Sequence, residues 1–197
     1  RVEDLVAMLE EHPFFDEYWE GKIPRFERIT IPTFAVASWS DHGLHTWGTL
    51  EAWTKIRSEE KYLLIHGRKK WKTFYDLAWM QKQFFDRYLR GIENDVRYWP
   101  KVMYEVRDRN YIGNFYEADG WPVPDTRYVQ LYLGEDGLLR GSPVDGEHEI
   151  SYDPLKESIS FLYRFDADAK VVGYMKLRLW VSVEGNDDAD LFVAVDK

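Results

Sequence analysis

At 197 residues the chain can form one large domain or two small ones, and 45 % apolar residues supply a sizeable core. A net charge of −9 excludes a broad nucleic-acid surface, because phosphate binding needs concentrated Lys and Arg. The absence of cysteine excludes disulfides, a thiol nucleophile and Cys-ligated zinc or iron–sulfur sites.

The chain opens in a helical pattern, Val2-Glu3-Asp4-Leu5-Val6-Ala7-Met8-Leu9, which ends near Glu10-Glu11-His12-Pro13. No charged-then-apolar leader is visible, and no apolar run approaches the roughly 20 residues that span a bilayer, so no membrane partner is expected. An aromatic and acidic segment follows, Phe14-Phe15-Asp16-Glu17-Tyr18-Trp19. The first strand runs from Thr33 towards Asp41, and its core Phe34-Ala35-Val36-Ala37 is apolar without alternation, as in a strand covered on both faces. Leu44, Trp47, Leu50, Trp53 and Ile56 then recur every three residues and mark a helix. A second continuously apolar strand spans Tyr62 to Ile65 and ends at His66-Gly67. The next helix is predicted from about Asp76 to Arg90, with Leu77, Met80, Phe84, Phe85 and Tyr88 inward and Gly91 as its stop. This alternation predicts parallel βα units.

After about Val96 the period changes to two. Val102, Tyr104 and Val106 alternate, as do Val129, Leu131 and Leu133. So do Ile159, Phe161, Tyr163 and Phe165, and then Met175, Leu177, Leu179, Val181 and Val183. With turn clusters between, these sets predict antiparallel strands of a β-sandwich. The expected class is therefore α/β over residues 1–95 followed by all-β over 96–197. The last strand, Leu191 to Val195, stops two residues before the chain does, so an incomplete sandwich is expected.

The candidate chemistry sits at two strand ends. Asp41 follows the first strand and His66 ends the second, 25 positions on, with one helix between. Sites in open α/β sheets gather where parallel strands end. An Asp then a His in this order is the second and third part of a Ser…Asp…His triad of α/β-hydrolase type, in which a carboxylate orients the imidazole that moves the proton. The G-x-S-x-G nucleophile elbow is absent. The chain thus reads as the later part of a hydrolase, inactive alone. The alternative roles are a helix N-cap for Asp41 and a hydrogen-bonded core or loop imidazole for His66. Asp41, His42 and His45 could suggest a metal cluster, but a further ligand and a second shell are not evident, so no metal is expected. His45 can line a pocket beside Asp41, and Trp39 and Trp47 can wall one.

The segment His12-Pro13-Phe14-Phe15-Asp16-Glu17-Tyr18-Trp19, then Ile31-Pro32 leading to Ser38-Trp39-Ser40-Asp41, then Gly48-Thr49-Leu50, resembles the cocaine esterase and X-Pro dipeptidyl-peptidase (CocE/NonD) family of α/β-hydrolases. Trp39-Ser40-Asp41 matches the family's Trp-x-Asp element, and His66 falls after the strand where the family places its His. Many members carry Gly-Pro-Trp with the His several residues beyond the strand. Here His66-Gly67-Arg68-Lys69-Lys70-Trp71 is an altered loop. Gly173 to Val183 with Asp190-Leu191-Phe192-Val193 resembles the opening of the family's jelly-roll domain. The resemblance implies the C-terminal part of an α/β-hydrolase sheet plus a truncated jelly-roll β-sandwich. It also implies an ester or short-peptide substrate, no cofactor, and a Ser and an oxyanion Tyr upstream. A cut sheet exposes apolar edges, so the chain is expected to be poorly soluble or to self-associate as a homo-oligomer. The competing function is a noncatalytic protein that binds glycans or proteins through an aromatic-rich sandwich.

Overall fold

A computed structural model describes residues 3–41 and 43–197. Arg1, Val2 and the candidate metal ligand His42 lie outside them. The opening helix, α1 (Leu5–Glu11), starts at Asp4, whose side chain accepts the Val6 and Ala7 N–H groups. One short turn, α2 (Glu17–Glu20), is capped in the same way by Asp16.

The body of the fold is β1 (Thr33–Ser38), α3 (Gly43–Lys55), β2 (Lys61–His66), α4 (Lys70–Arg90), β3 (Val102–Arg109) and β4 (Ile112–Ala118). These strands form one sheet in the order β1-β2-β3-β4, with β1, β2 and β3 parallel and β4 antiparallel to β3. Both predicted apolar strands are present. β2 is central, and Tyr62 to His66 are all buried, because helices and loops cover both faces. Leu63 and Ile65 join Ala37, Leu50, Trp53, Val102, Tyr104 and Trp121 in one cluster, while Tyr62 packs with Phe84 and Val96 in another.

Of the three-residue stripe on α3, Leu50 and Trp53 are buried and Leu44 and Trp47 are exposed. α4 begins at Lys70 rather than near Asp76, since Trp71 to Tyr75 contain no helix breaker. It stops at Gly91, whose φ of 65° is left-handed and whose N–H turns back to the Arg87 carbonyl.

Beyond residue 95 the sheet continues. β3 pairs with β2 through Leu63–Val102, Leu64–Met103 and Ile65–Tyr104, so the first alternating set belongs to the α/β sheet. Period two is as compatible with a parallel edge as with a sandwich, and the partner decides which forms. Further along, β5 (Tyr132–Leu133) and β6 (Leu139–Arg140) make a two-stranded ladder. Among the described residues the sets at 159–165, 175–183 and 191–195 carry no strand; Trp180 is 88 % and Phe192 94 % exposed. Alternation marks a segment that fits a sheet but does not supply the strand opposite it.

The β3–β4 hairpin is tight at Gly113, opposite Arg107, beside the bulge between Arg107 and Arg109. A Cβ there would meet the Val106 carbonyl oxygen at 2.3 Å and the Arg107 Cα at 2.9 Å, both backbone atoms that cannot swing aside. Gly113→Ala is therefore expected to cost about 3 kcal/mol, as overpacking does. An unchanged urea midpoint would contradict the hairpin.

Candidate active site

The parallel register sets Ser38, the last residue of β1, beside His66, the last of β2. Beyond the ladder the two ends remain laced. The Trp39 N–H donates to the His66 carbonyl at 2.9 Å, and Ser38 Oγ donates to the Arg68 carbonyl. Thr46 Oγ1 on α3 donates to the Ser38 carbonyl at 2.6 Å. The Asp41 N–H turns back to the same carbonyl at 3.3 Å, which brings Asp41 round to the mouth of the strand end. Asp41, His45 and His66 line one cleft of about 270 Å³ together with Trp71 and Phe74 of α4.

His66 is only 2 % exposed. Burial pushes its pKa down, because a low-dielectric site disfavours the imidazolium. The buried Glu105 carboxylate pulls the other way, the charge of the Arg68 guanidinium adds to the lowering, and Asp41 raises it by a smaller amount. The Arg68 backbone N–H reaches His66 Nδ1 at 3.3 Å. An amide can only donate, so Nδ1 accepts and the neutral ring carries its proton on Nε2.

This lowering has a sign in stability. The folded pKa lies below the ordinary value of 6.5, so between the two the unfolded chain binds more protons. The contribution of His66 is fully present above 6.5 and is lost as pH falls towards the folded pKa. His66→Gln is expected to flatten the rise of the denaturation midpoint with pH across this window. An identical slope in both proteins would contradict the buried neutral ring.

The structure brings Asp41, His45 and His66 together, but Trp39 and Trp47 stand elsewhere. Trp39 continues β1 in the opposite phase to Ser38; its ring packs 5.9 Å from Trp121 and its Nε1–H donates to the Glu105 carbonyl at 2.7 Å. It is core, not pocket wall. Trp47 is half-exposed and lies against Tyr174 at 6.5 Å, while His45, Thr46 and Thr49 meet the cleft from α3. The residue that sequence reading missed is Glu105, 4 % exposed on β3. Its signal was an acidic side chain inside the apolar stretch Val102 to Val106. Among the described residues no three His, Asp or Glu side chains gather as metal ligands.

Residues 94–197 match the family described as the X-Pro dipeptidyl-peptidase C-terminal non-catalytic domain. The cocaine esterase of Rhodococcus sp. (strain MB1 Bresler) is 27 % identical over 177 residues, covering 81 % of this chain and 30 % of the esterase. Two crystal structures of a CocE/NonD family hydrolase from Staphylococcus aureus are similar with a TM-score of 0.72 and 40 % identity, covering 74 % of this chain and 27 % of theirs. The chain thus spans about three-tenths of the length of the relatives it matches. From the non-catalytic domain at 94–197 and the hydrolase similarity before it, the chain belongs to the cocaine esterase and X-Pro dipeptidyl-peptidase (CocE/NonD) family.

Proposed function

We propose that this chain supplies the acid and the base of a serine hydrolase of the acyl esterase or X-Pro dipeptidyl-peptidase type, with Asp41 as acid, His66 as base and a Ser upstream of Arg1 as nucleophile. One observation carries the reading: Asp41 and His66 line the same cleft at the carboxyl ends of adjacent parallel strands. In such a reaction the Ser hydroxyl attacks the ester or amide carbonyl while His66 Nε2 takes its proton. The imidazolium then gives that proton to the leaving alcohol or amine, and water repeats the cycle to release the acid.

For Nε2 to accept, the neutral ring must carry its proton on Nδ1, where the Asp41 carboxylate would receive it. The Arg68 contact that now occupies Nδ1 is long at 3.3 Å, so giving it up costs little. The lowered His66 pKa keeps the ring neutral, and therefore able to accept a proton, at neutral pH. On this proposal the α/β sheet through β4 contributes to the hydrolase domain and the residues after it to a jelly-roll-like domain, and the chemistry needs no metal or organic cofactor. The substrate is a small ester or a short peptide.

The test compares the 197-residue chain with the reading frame that contains it. The chain alone is expected to leave an activated ester such as 4-nitrophenyl acetate unhydrolysed. The longer protein is expected to turn it over and to be inactivated by a fluorophosphonate, which marks an activated Ser. Turnover by the isolated chain that disappears in His66→Ala would sink the proposal.

A further inference from the structure

The turn after His66 is held more closely than a loop needs to be. The Gly67 N–H donates to Glu105 Oε2 at 2.6 Å, inside the protein. The Gly67 carbonyl accepts from Ser40 Oγ at 2.7 Å and from Arg107 Nη1 at 3.5 Å, and the same guanidinium donates to Ser40 Oγ at 3.0 Å. A Cβ at Gly67 would sit 2.8 Å from Arg107 Cγ and Cδ and 3.1 Å from Glu105 Cδ, so both β3 side chains lie directly against the peptide. Every polar group of that peptide is thus met from β3 or from Ser40, just past the end of β1. Burying a carboxylate is costly unless it is bonded and paired, and a neutral side chain could cap an amide as well. A charged group kept here points to a charged counterpart.

We propose that Glu105 is a positioning residue for His66: anchored on the Gly67 amide, its carboxylate fixes the turn behind the imidazole and supplies from β3 a negative charge for the imidazolium. This rests on the proposed role of His66 as base and adds a second carboxylate to it. The charges that act on His66 are Asp41 after β1, Arg68 on the turn and Glu105 on β3, while Arg107 of β3 lies on the Gly67 carbonyl. Of these, Glu105 is the strongest influence favouring the protonated ring, ahead of Asp41. While His66 holds the nucleophile's proton, a fixed carboxylate in a water-poor site stabilises it without reorganisation. No bond to Glu105 forms or breaks and no proton passes to it.

Histidine titration by NMR on the 197-residue chain tests this, with His66 assigned by His66→Gln. Glu105→Gln keeps the shape and an acceptor for Gly67, so the fold and the slow Gly67 amide exchange are expected to persist while the His66 midpoint moves down. Glu105→Asp keeps the charge but shortens the reach, so Gly67 exchange quickens while the midpoint stays above that of Glu105→Gln. An unchanged midpoint in a folded Glu105→Gln protein would reduce Glu105 to a backbone cap and overturn the proposal. If Glu105→Gln does not fold, the wild-type Glu105 side-chain carboxyl resonance decides: an inflection at the His66 midpoint supports the coupling and its absence overturns it. Asp41→Asn separates the two readings. A His66 midpoint that responds to Glu105→Gln but not to Asp41→Asn would uphold Glu105 and weaken the triad.

Discussion

His66→Ala, made in a protein that includes the upstream nucleophile, is expected to lower kcat by about 10⁶-fold with KM nearly unchanged, because the base acts in the transition state and not in binding. Asp41→Asn is expected to cost about 10⁴-fold, since it spares the geometry and removes the partner that selects the useful tautomer. The double variant is expected to be no slower than His66→Ala, for two groups acting as one unit do not add. The measurement is steady-state hydrolysis of an activated ester, with protein folding checked by denaturation midpoint. Asp41 and His66 share a cleft, but the ring's Nδ1 now faces the Arg68 amide. The Asp41 variant is therefore the sharper of the two. A loss in Asp41→Asn no greater than a few-fold would mean that the imidazole is oriented without Asp41, by the turn that Glu105 fixes at Gly67, and the triad as proposed would fall.

Much of this site was legible in the sequence because parallel strands announce themselves. Phe34 to Ala37 and Tyr62 to Ile65 are unbroken apolar runs, and one helix of the right length between them forces their ends together. Asp41 and His66 then share a sheet edge by topology alone. What lies across the sheet was not legible. Glu105 belongs to a strand read as part of a sandwich, and only the pairing of Leu63 with Val102 through Ile65 with Tyr104 sets it behind the Gly67 amide. Nor could sequence distinguish the two faces beyond a strand's end. Trp39 sits one residue from Ser38, yet the pleat sends it to Trp121 and away from the cleft.

The second half teaches a different lesson. At Gly134-Glu135-Asp136-Gly137 the chain turns back on itself, with Gly137 at a φ of 74° and β5 and β6 on either side. The alternation at 159–165 and 175–183 is as regular as that of β3, but β3 has β2 and β4 beside it, whereas among the described residues these segments make no ladder beyond a single bridge of Leu162 to Leu138. A sheet is a property of pairs, and period two describes only one member of each.

Ile65→Ala is expected to cost about 4 kcal/mol, among the largest losses any single truncation in this chain would produce. Ile65 is fully buried on the central strand, paired with Ala37 on one side and Tyr104 on the other, and it fills the cluster that holds Leu50, Trp53 and Trp121. Removing three carbons leaves a cavity that a strand bonded on both edges cannot collapse to fill, which puts the cost in the upper part of the range for such sites. Ile65→Val, which removes one carbon, is expected to cost about 1 kcal/mol. Phe192→Ala, at a ring 94 % exposed, should stay within about 0.5 kcal/mol of wild type. Urea unfolding followed by tryptophan fluorescence reads all three, because Trp53 and Trp121 lie in the same cluster as Ile65. Equal losses for Ile65→Ala and Phe192→Ala would deny that β2 is the core of the fold. The expected order carries a functional consequence, because Ile65 is the residue before His66. The strand that carries the base is also the most deeply buried, so its imidazole is held by packing on one side and by the Gly67 turn on the other. Ile65→Val should therefore move the His66 titration far less than Glu105→Gln does, despite its closeness in sequence.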